Sequence, residues 1–177
     1  MNKKVSLPIS FAAIWILVRL VIFNLGLNGQ IKLGFLINIL FIITLIMATL
    51  YLKVKTEKKL EVFVVNFKNS LKNAGIYILI VIGFIFIFHQ FIDPNYLSDF
   101  HEKTMEMERA RDFDKILNSP MYKGSTKEEY LEKAENSSLL FTSKKIITTF
   151  YFLGLFMMSL VFSILVPLFY KKVVLRM

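Results

Sequence analysis

Arg19 is the residue in this chain with the most chemistry available to it. It interrupts an otherwise apolar stretch, Trp15-Ile16-Leu17-Val18-Arg19-Leu20-Val21. Insertion scales place the cost of such a charge inside a membrane helix at about 2.5–3.5 kcal/mol, so it normally has a partner or a wet cavity. With the N-terminus inside, Arg19, Asn24, Asn38, His89, Gln90 and Asp93 all fall in the outer half of the membrane. That placement would gather them into one polar cluster between the first three stretches. The cluster could serve as an anion-binding or proton-linked site, with Arg19 holding an anionic group. His89 would be the titrating member, because an imidazole changes charge near pH 6.5. The alternative is that the Arg19 stem extends toward the membrane surface and its head is satisfied by Asn38 or Asp93, as glue between helices.

Other constellations carry less. His101-Glu102 has the beginning of a zinc-helix motif, but His-Glu-x-x-His fails because residue 105 is Met. His101, Glu102 and Glu106 make an incomplete ligand set, so no metal or other cofactor is expected. Asn136-Ser137-Ser138 fits the N-glycosylation acceptor pattern, which matters only in a eukaryotic secretory setting. There is no glycine loop to cradle a phosphate, no serine elbow and no defensible pair of catalytic carboxylates. With zero cysteines, disulfides and thiolate sites are excluded as well. A non-enzymatic protein is the expectation.

The elements that would position these residues are four apolar runs, at about 7–27, 33–52, 75–92 and 146–169. A helix crossing a hydrocarbon core of about 30 Å needs roughly 20 apolar residues. The runs are continuous rather than alternating, which selects helices over a barrel. The expected fold is therefore all-α: a polytopic membrane protein of four transmembrane helices, occupying residues 1–177 as one membrane domain. The first run is too long for a signal-peptide core and is expected to be retained. Small residues at Gly154, Ser159 and Ser163 suit close packing of the fourth helix, and Pro167 is expected to bend or finish it.

Charge sets the orientation. Lys3 and Lys4, then Lys53, Lys55, Lys58, Lys59, Lys68 and Lys72, then Lys171, Lys172 and Arg176 all lie on one side, opposed only by Glu57 and Glu61. The positive-inside rule puts that side, including both termini, in the cytoplasm. Residues 93–145 then face the periplasm or cell exterior. The formal net charge of +9 is explained by topology and by anionic lipid headgroups, so nucleic acid is not needed as a partner.

Two polar segments flank the membrane. In the cytoplasmic link, 53–74, Leu60, Phe63, Val64, Phe67 and Leu71 recur at helical spacing, while Lys58, Lys59, Asn66, Lys68, Asn69 and Lys72 take other faces. A basic amphipathic helix of this kind lies in the interface and contacts lipid or a partner protein; the alternative is a plain connector. The segment 93–145 is expected to be a helical hairpin inserted between the third and fourth spans. Asp93-Pro94 suits a helix start, with Phe100, Met107, Ala110, Phe113 and Leu117 as its apolar stripe. Asn118-Ser119-Pro120 stops that helix and Gly124 makes the turn. Ser125 with Glu128 fits a capping box for the second helix, whose apolar side is Tyr130, Ala134 and Phe141.

This layout, with Phe91-Ile92-Asp93-Pro94-Asn95-Tyr96 after the third span and Phe67-Lys68-Asn69-Ser70-Leu71-Lys72-Asn73-Ala74-Gly75 before it, resembles the family labelled domain of unknown function 4199. The resemblance implies a multi-pass inner-membrane protein of a two-membrane bacterium, mainly of the Bacteroidetes, and carries no catalytic residues. By genomic association it offers a lipid-linked glycosyltransferase as a membrane-protein partner. Two functions are then open. One is an accessory or scaffold subunit contacting a partner protein, a second copy or lipid. The other is a small oligomeric transporter or channel that uses Arg19 and His89.

Overall fold

The computed structural model describes residues 3–26, 31–57, 62–117, 119, 122 and 124–173, and the described residues are helices joined by short links. In chain order they are α1 (Lys3–Asn24), α2 (Ile31–Glu57), α3 (Phe63–Ile87), a π-helical turn (Phe88–Ile92), α4 (Tyr96–Arg109), α5 (Phe113–Leu117), α6 (Lys127–Thr142) and α7 (Lys144–Val173). Four segments are long and apolar enough to cross a membrane: Ser6–Asn24, Gly34–Thr56, Phe63–Ile92 and Lys144–Lys172. The chain is thus all-helical and a multi-pass membrane protein. Apart from the end of α1 at Asn24, its helices reach or overrun the ends of the apolar runs, because helical hydrogen bonding continues into polar flanks where nothing interrupts it. Pro167 does not end α7, which continues to Val173.

The chain forms two compact units, Met1–Ile85 with Phe150–Met177, and Phe86–Thr149. The first is built on a core of Ala12 and Trp15 from α1, Ile42, Leu45 and Ile46 from α2, Tyr77, Ile78 and Val81 from α3, and Leu155 from α7. Aromatic rings tie its helices together. Phe11 meets Phe41 edge to face at 6.2 Å, Phe41 stacks on Tyr77 at 6.4 Å, and Trp15 meets Phe84 edge to face at 5.9 Å. Such pairs contribute about 0.5–1.5 kcal/mol beyond the area they bury. Leu17, Leu40, Leu79 and Leu165 point outward and are exposed, an arrangement that water penalises and hydrocarbon does not.

The link between the second and third spans is divided differently from the sequence expectation. Residues 53–57 extend α2, and residues 63–74 are the first turns of α3 rather than a separate interfacial helix. No break falls at Ala74-Gly75, since one glycine costs a helix only about 1 kcal/mol. Of the proposed lipid- or partner-facing residues, Phe63, Val64, Lys68 and Lys72 are exposed and Phe67 and Leu71 are half-buried. Lys58, Lys59 and Leu60 lie outside the described residues, as do Leu27, Asn118 and Pro120. Asn66, expected on a face other than the apolar stripe, is fully buried.

In the second unit, α4 packs on α6. The pairs His101–Ser138 and Glu108–Tyr130 run in opposite chain directions, so the two helices are antiparallel. The helix start is one residue later than expected. Thr126, not Ser125, is the N-cap of α6: its hydroxyl accepts from the Glu129 amide at 3.2 Å, and the Glu129 carboxylate accepts from the Thr126 amide at 3.1 Å. Both residues occupy a capping-box spacing, but only the later register makes both bonds. Thr126→Ala is expected to destabilise the α6 start by about 1 kcal/mol, raising hydrogen exchange at its first amides about fivefold, with Ser125→Ala having little effect. Mass-resolved exchange over the start of α6 measures both. Gly124 supplies the turn, with φ at +89°.

Candidate functional site

The polar residues of the membrane unit are organised by α3. Asn66, Ser70, Asn73 and Tyr77 are spaced four, three and four apart, which places them on one face of that helix. Asn66, Ser70 and Tyr77 are fully buried. The Tyr77 hydroxyl donates to Asn38 Oδ1 at 2.7 Å, and Asn38 Nδ2 donates to the Gly34 carbonyl at 3.0 Å. Lower on the same face, Asn73 Nδ2 donates to Thr49 Oγ1 at 3.0 Å. Two side-chain hydrogen bonds thus link α3 to α2. On α7, Ser159 and Ser163 are also fully buried, and the Ser159 hydroxyl returns to the Phe156 carbonyl at 2.7 Å. The Ser70 and Ser163 hydroxyls find no hydrogen-bond partner among the described residues.

Of the six residues in the expected polar cluster, three belong to this unit. Arg19 is half-buried on α1. Asn24 is exposed and its amide donates to the Leu20 carbonyl of its own helix at 2.9 Å. Asn38 bonds to Tyr77 and Gly34, and Tyr77 is a residue that the sequence does not single out. The signal was available: Asn66, Ser70, Asn73 and Tyr77 repeat at helical spacing, and a polar stripe on a membrane helix must face protein or a cavity.

The other three belong to the second unit. The third span ends in the π-turn, closed by the Asp93 amide donating to the Phe88 carbonyl at 2.8 Å. The wider turn buries His89 against two rings, stacked on Tyr96 at 5.3 Å and edge to face with Phe88 at 5.4 Å. Gln90 is exposed, and its carbonyl accepts from Lys144 Nζ at 3.1 Å. Asp93 is half-buried. It does not open α4. The N-cap there is Asn95, without a side-chain cap bond.

The hairpin carries its own polar centre. Tyr130 is nearly buried; its hydroxyl donates to Glu108 Oε2 at 2.6 Å, and Arg111 pairs with the same carboxylate at 3.2 Å. The Glu108 hydrogen bond, then burial, hold the Tyr130 phenol above its ordinary range, while Arg111 acts in the opposite sense. The phenol therefore stays neutral and acts as a donor, not a base. Tyr122 and Phe113 meet the Tyr130 ring edge to face at 5.0 and 5.9 Å, and the Lys127 ammonium sits 4.3 Å from the Phe113 ring centre. This set fastens the tip of the hairpin. Nearer the membrane helices, His101 Nδ1 lies 2.8 Å from Ser138 Oγ. No group of three His, Asp or Glu side chains able to hold a metal occurs among the described residues.

The expected apolar stripe of α4 is replaced. Tyr96, Leu97 and Met105 are buried, whereas Phe100 and Met107 are exposed; on α6 Tyr130 is buried and Phe141 is exposed. The face that packs is chosen by the His101 and Glu108 hydrogen bonds, which need α4 turned toward Ser138 and Tyr130.

Residues 9–172 match the family model described as Protein of unknown function (DUF4199), and the chain belongs to that family. Among curated proteins and among solved structures, nothing matches the chain.

Proposed function

We propose that this DUF4199 protein is a non-enzymatic accessory or scaffold subunit of a bacterial inner membrane. Both termini are cytoplasmic and the α4–α6 hairpin is periplasmic, by the distribution of lysines. The observation that carries the reading is how two pairs of intramembrane polar groups are spent. Asn38 binds Tyr77 and Asn73 binds Thr49, across α2 and α3, as helix-to-helix packing bonds. A transporter would turn such groups toward a path for its substrate. The hairpin supports the same reading: its interior is fastened by its own side chains, and it offers Phe100 and Met107 outward. Its partner is a membrane protein, of which a lipid-linked glycosyltransferase is one, or a second copy of the chain.

Extraction of the tagged protein in mild detergent, followed by native mass measurement, tests this. The expected result is a fixed-stoichiometry complex with a second protein or a second copy, and Arg19→Leu is expected to leave that complex intact. A homo-oligomer that retains a bound solute, with solute flux abolished by Arg19→Leu, overturns the proposal in favour of a transporter.

A further inference from the structure

The unit Phe86–Thr149 contains, besides the hairpin, the end of one membrane segment at Ile92 and the start of another at Lys144. The Lys144–Gln90 hydrogen bond brings that end and that start together. Helix α6 passes into α7 through Ser143 alone. Leu139, Leu140 and Phe141 therefore lie three to five residues before the span. Ser143 between them is extended, with ψ at 127°, so at about 1.5 Å per helical residue and about 3.5 Å per extended one the three stand within roughly 9–12 Å of Lys144. The interfacial layer on each side of the hydrocarbon core is about 5–8 Å deep. Leu139 is 51 %, Leu140 55 % and Phe141 57 % exposed, and Phe91, next to Gln90, is 75 % exposed.

We propose that these four side chains form a lipid-binding collar at the base of the hairpin. They lie in the interfacial layer of the bilayer, with Lys144 and Lys145 at the phospholipid phosphates. Geometry selects lipid over a protein partner. Three successive helical residues point about 100° apart, so all three being exposed leaves the end of α6 open on most sides. A partner surface would cover one side; a fluid apolar medium meets them all. Phe91 itself belongs to the apolar segment Phe63–Ile92, so the lipid that meets the end of that segment meets the collar. Its effect is to hold the hairpin stem at the membrane while the Tyr130 end projects away. The inference rests on the membrane reading and not on the scaffold role.

The chain has no cysteine, so a single introduced cysteine carries a unique nitroxide label. Labels at Leu140→Cys and Phe91→Cys, in vesicles of phosphatidylcholine and phosphatidylglycerol, are compared with Leu79→Cys on the outward face of α3 and Met107→Cys on the hairpin. Collision rates with oxygen, which partitions into lipid, and with a water-soluble nickel chelate report depth. The expected oxygen-to-nickel ratio at Leu140 and Phe91 lies on the Leu79 side of the range, well above Met107. A ratio equal to that at Met107 overturns the proposal. So does exclusion of both agents together with spin–spin broadening between chains, which assigns the end of α6 to a second copy. Leu139→Cys is the further label site if the Leu140 variant does not fold, judged by its elution profile.

Discussion

Asn38→Ala is expected to destabilise the membrane unit by about 1–3 kcal/mol, because it leaves the Tyr77 hydroxyl buried without its acceptor. Both residues are fully buried and the bond is 2.7 Å long. Side-chain hydrogen bonds between membrane helices average only about 0.6 kcal/mol, with a maximum near 1.7, because unfolded helices in lipid also find partners. The pair is thus worth modestly little. Orphaning one member costs more, since no water reaches the stranded group. That asymmetry is what distinguishes the pair from ordinary packing. Tyr77→Phe strands Asn38 Oδ1 in the same way and should cost a comparable amount. The double variant Asn38→Leu with Tyr77→Phe replaces both polar ends by apolar groups of similar shape, and is expected to recover most of the loss. Unfolding free energies of Asn38→Leu, Tyr77→Phe and the double variant in mixed detergent micelles complete the cycle. Strict additivity of the two single losses would mean that the bond does not hold α2 to α3.

The same bond shows which parts of this molecule can be inferred from sequence and which cannot. The four spans were legible because lipid imposes one requirement, about 20 apolar residues without unsatisfied backbone, that a run such as 146–169 meets by composition alone. The rotation of α3 about its axis was not. Phe63 and Val64 beside Asn66 and Lys68 fit equally an interfacial helix with a solvated polar face and a span with a polar inner face. Only the presence of Thr49 and Asn38 opposite Asn73 and Tyr77 separates the two, and that depends on how α2 and α3 pair.

The hairpin divides along the same line. Two helices and a turn were legible from Gly124 and the capping-box spacing, yet Ser125 and Thr126 are equivalent until the backbone is fixed. The packed face of α4 was misplaced because apolar spacing was weighed and hydrogen bonding was not. His101 and Glu108 look like surface residues in sequence. In the fold each takes a partner on α6, and they turn Phe100 and Met107 outward. The π-turn was invisible for another reason: Pro94 lacks the amide to continue a helix, but whether the preceding turn closes tightly or widely is settled by what His89 must pack against.

Gly154→Leu is expected to cost about 2–3 kcal/mol, the upper part of the range for overpacking a close contact. A Cβ at Gly154 would stand 3.0 Å from two atoms of the Phe35 ring. That ring cannot simply step aside, because its other contact is an edge-to-face pair with Tyr151 at 5.5 Å. Moving it weakens that pair, worth about 0.5–1.5 kcal/mol, and disturbs the side of α2 that carries Gly34. There, too, an added Cβ would meet the Tyr151 hydroxyl at 3.2 Å. The α2–α7 contact is therefore two rings seated on two glycines, the close approach that small residues permit between membrane helices. Gly154→Ala is the informative intermediate. It gains up to about 1 kcal/mol of helix propensity and loses a similar amount by displacing Phe35, so its net effect should be small. Gly83 provides the contrast, being exposed on α3 with nothing within 4 Å of an added Cβ. Gly83→Ala should raise stability by about 0.5–1 kcal/mol from propensity alone. Detergent unfolding of the three variants is expected to give the order Gly83→Ala above the parent, Gly154→Ala near it and Gly154→Leu well below. Equal stability of Gly154→Leu and the parent would show that α2 and α7 are not held at this distance.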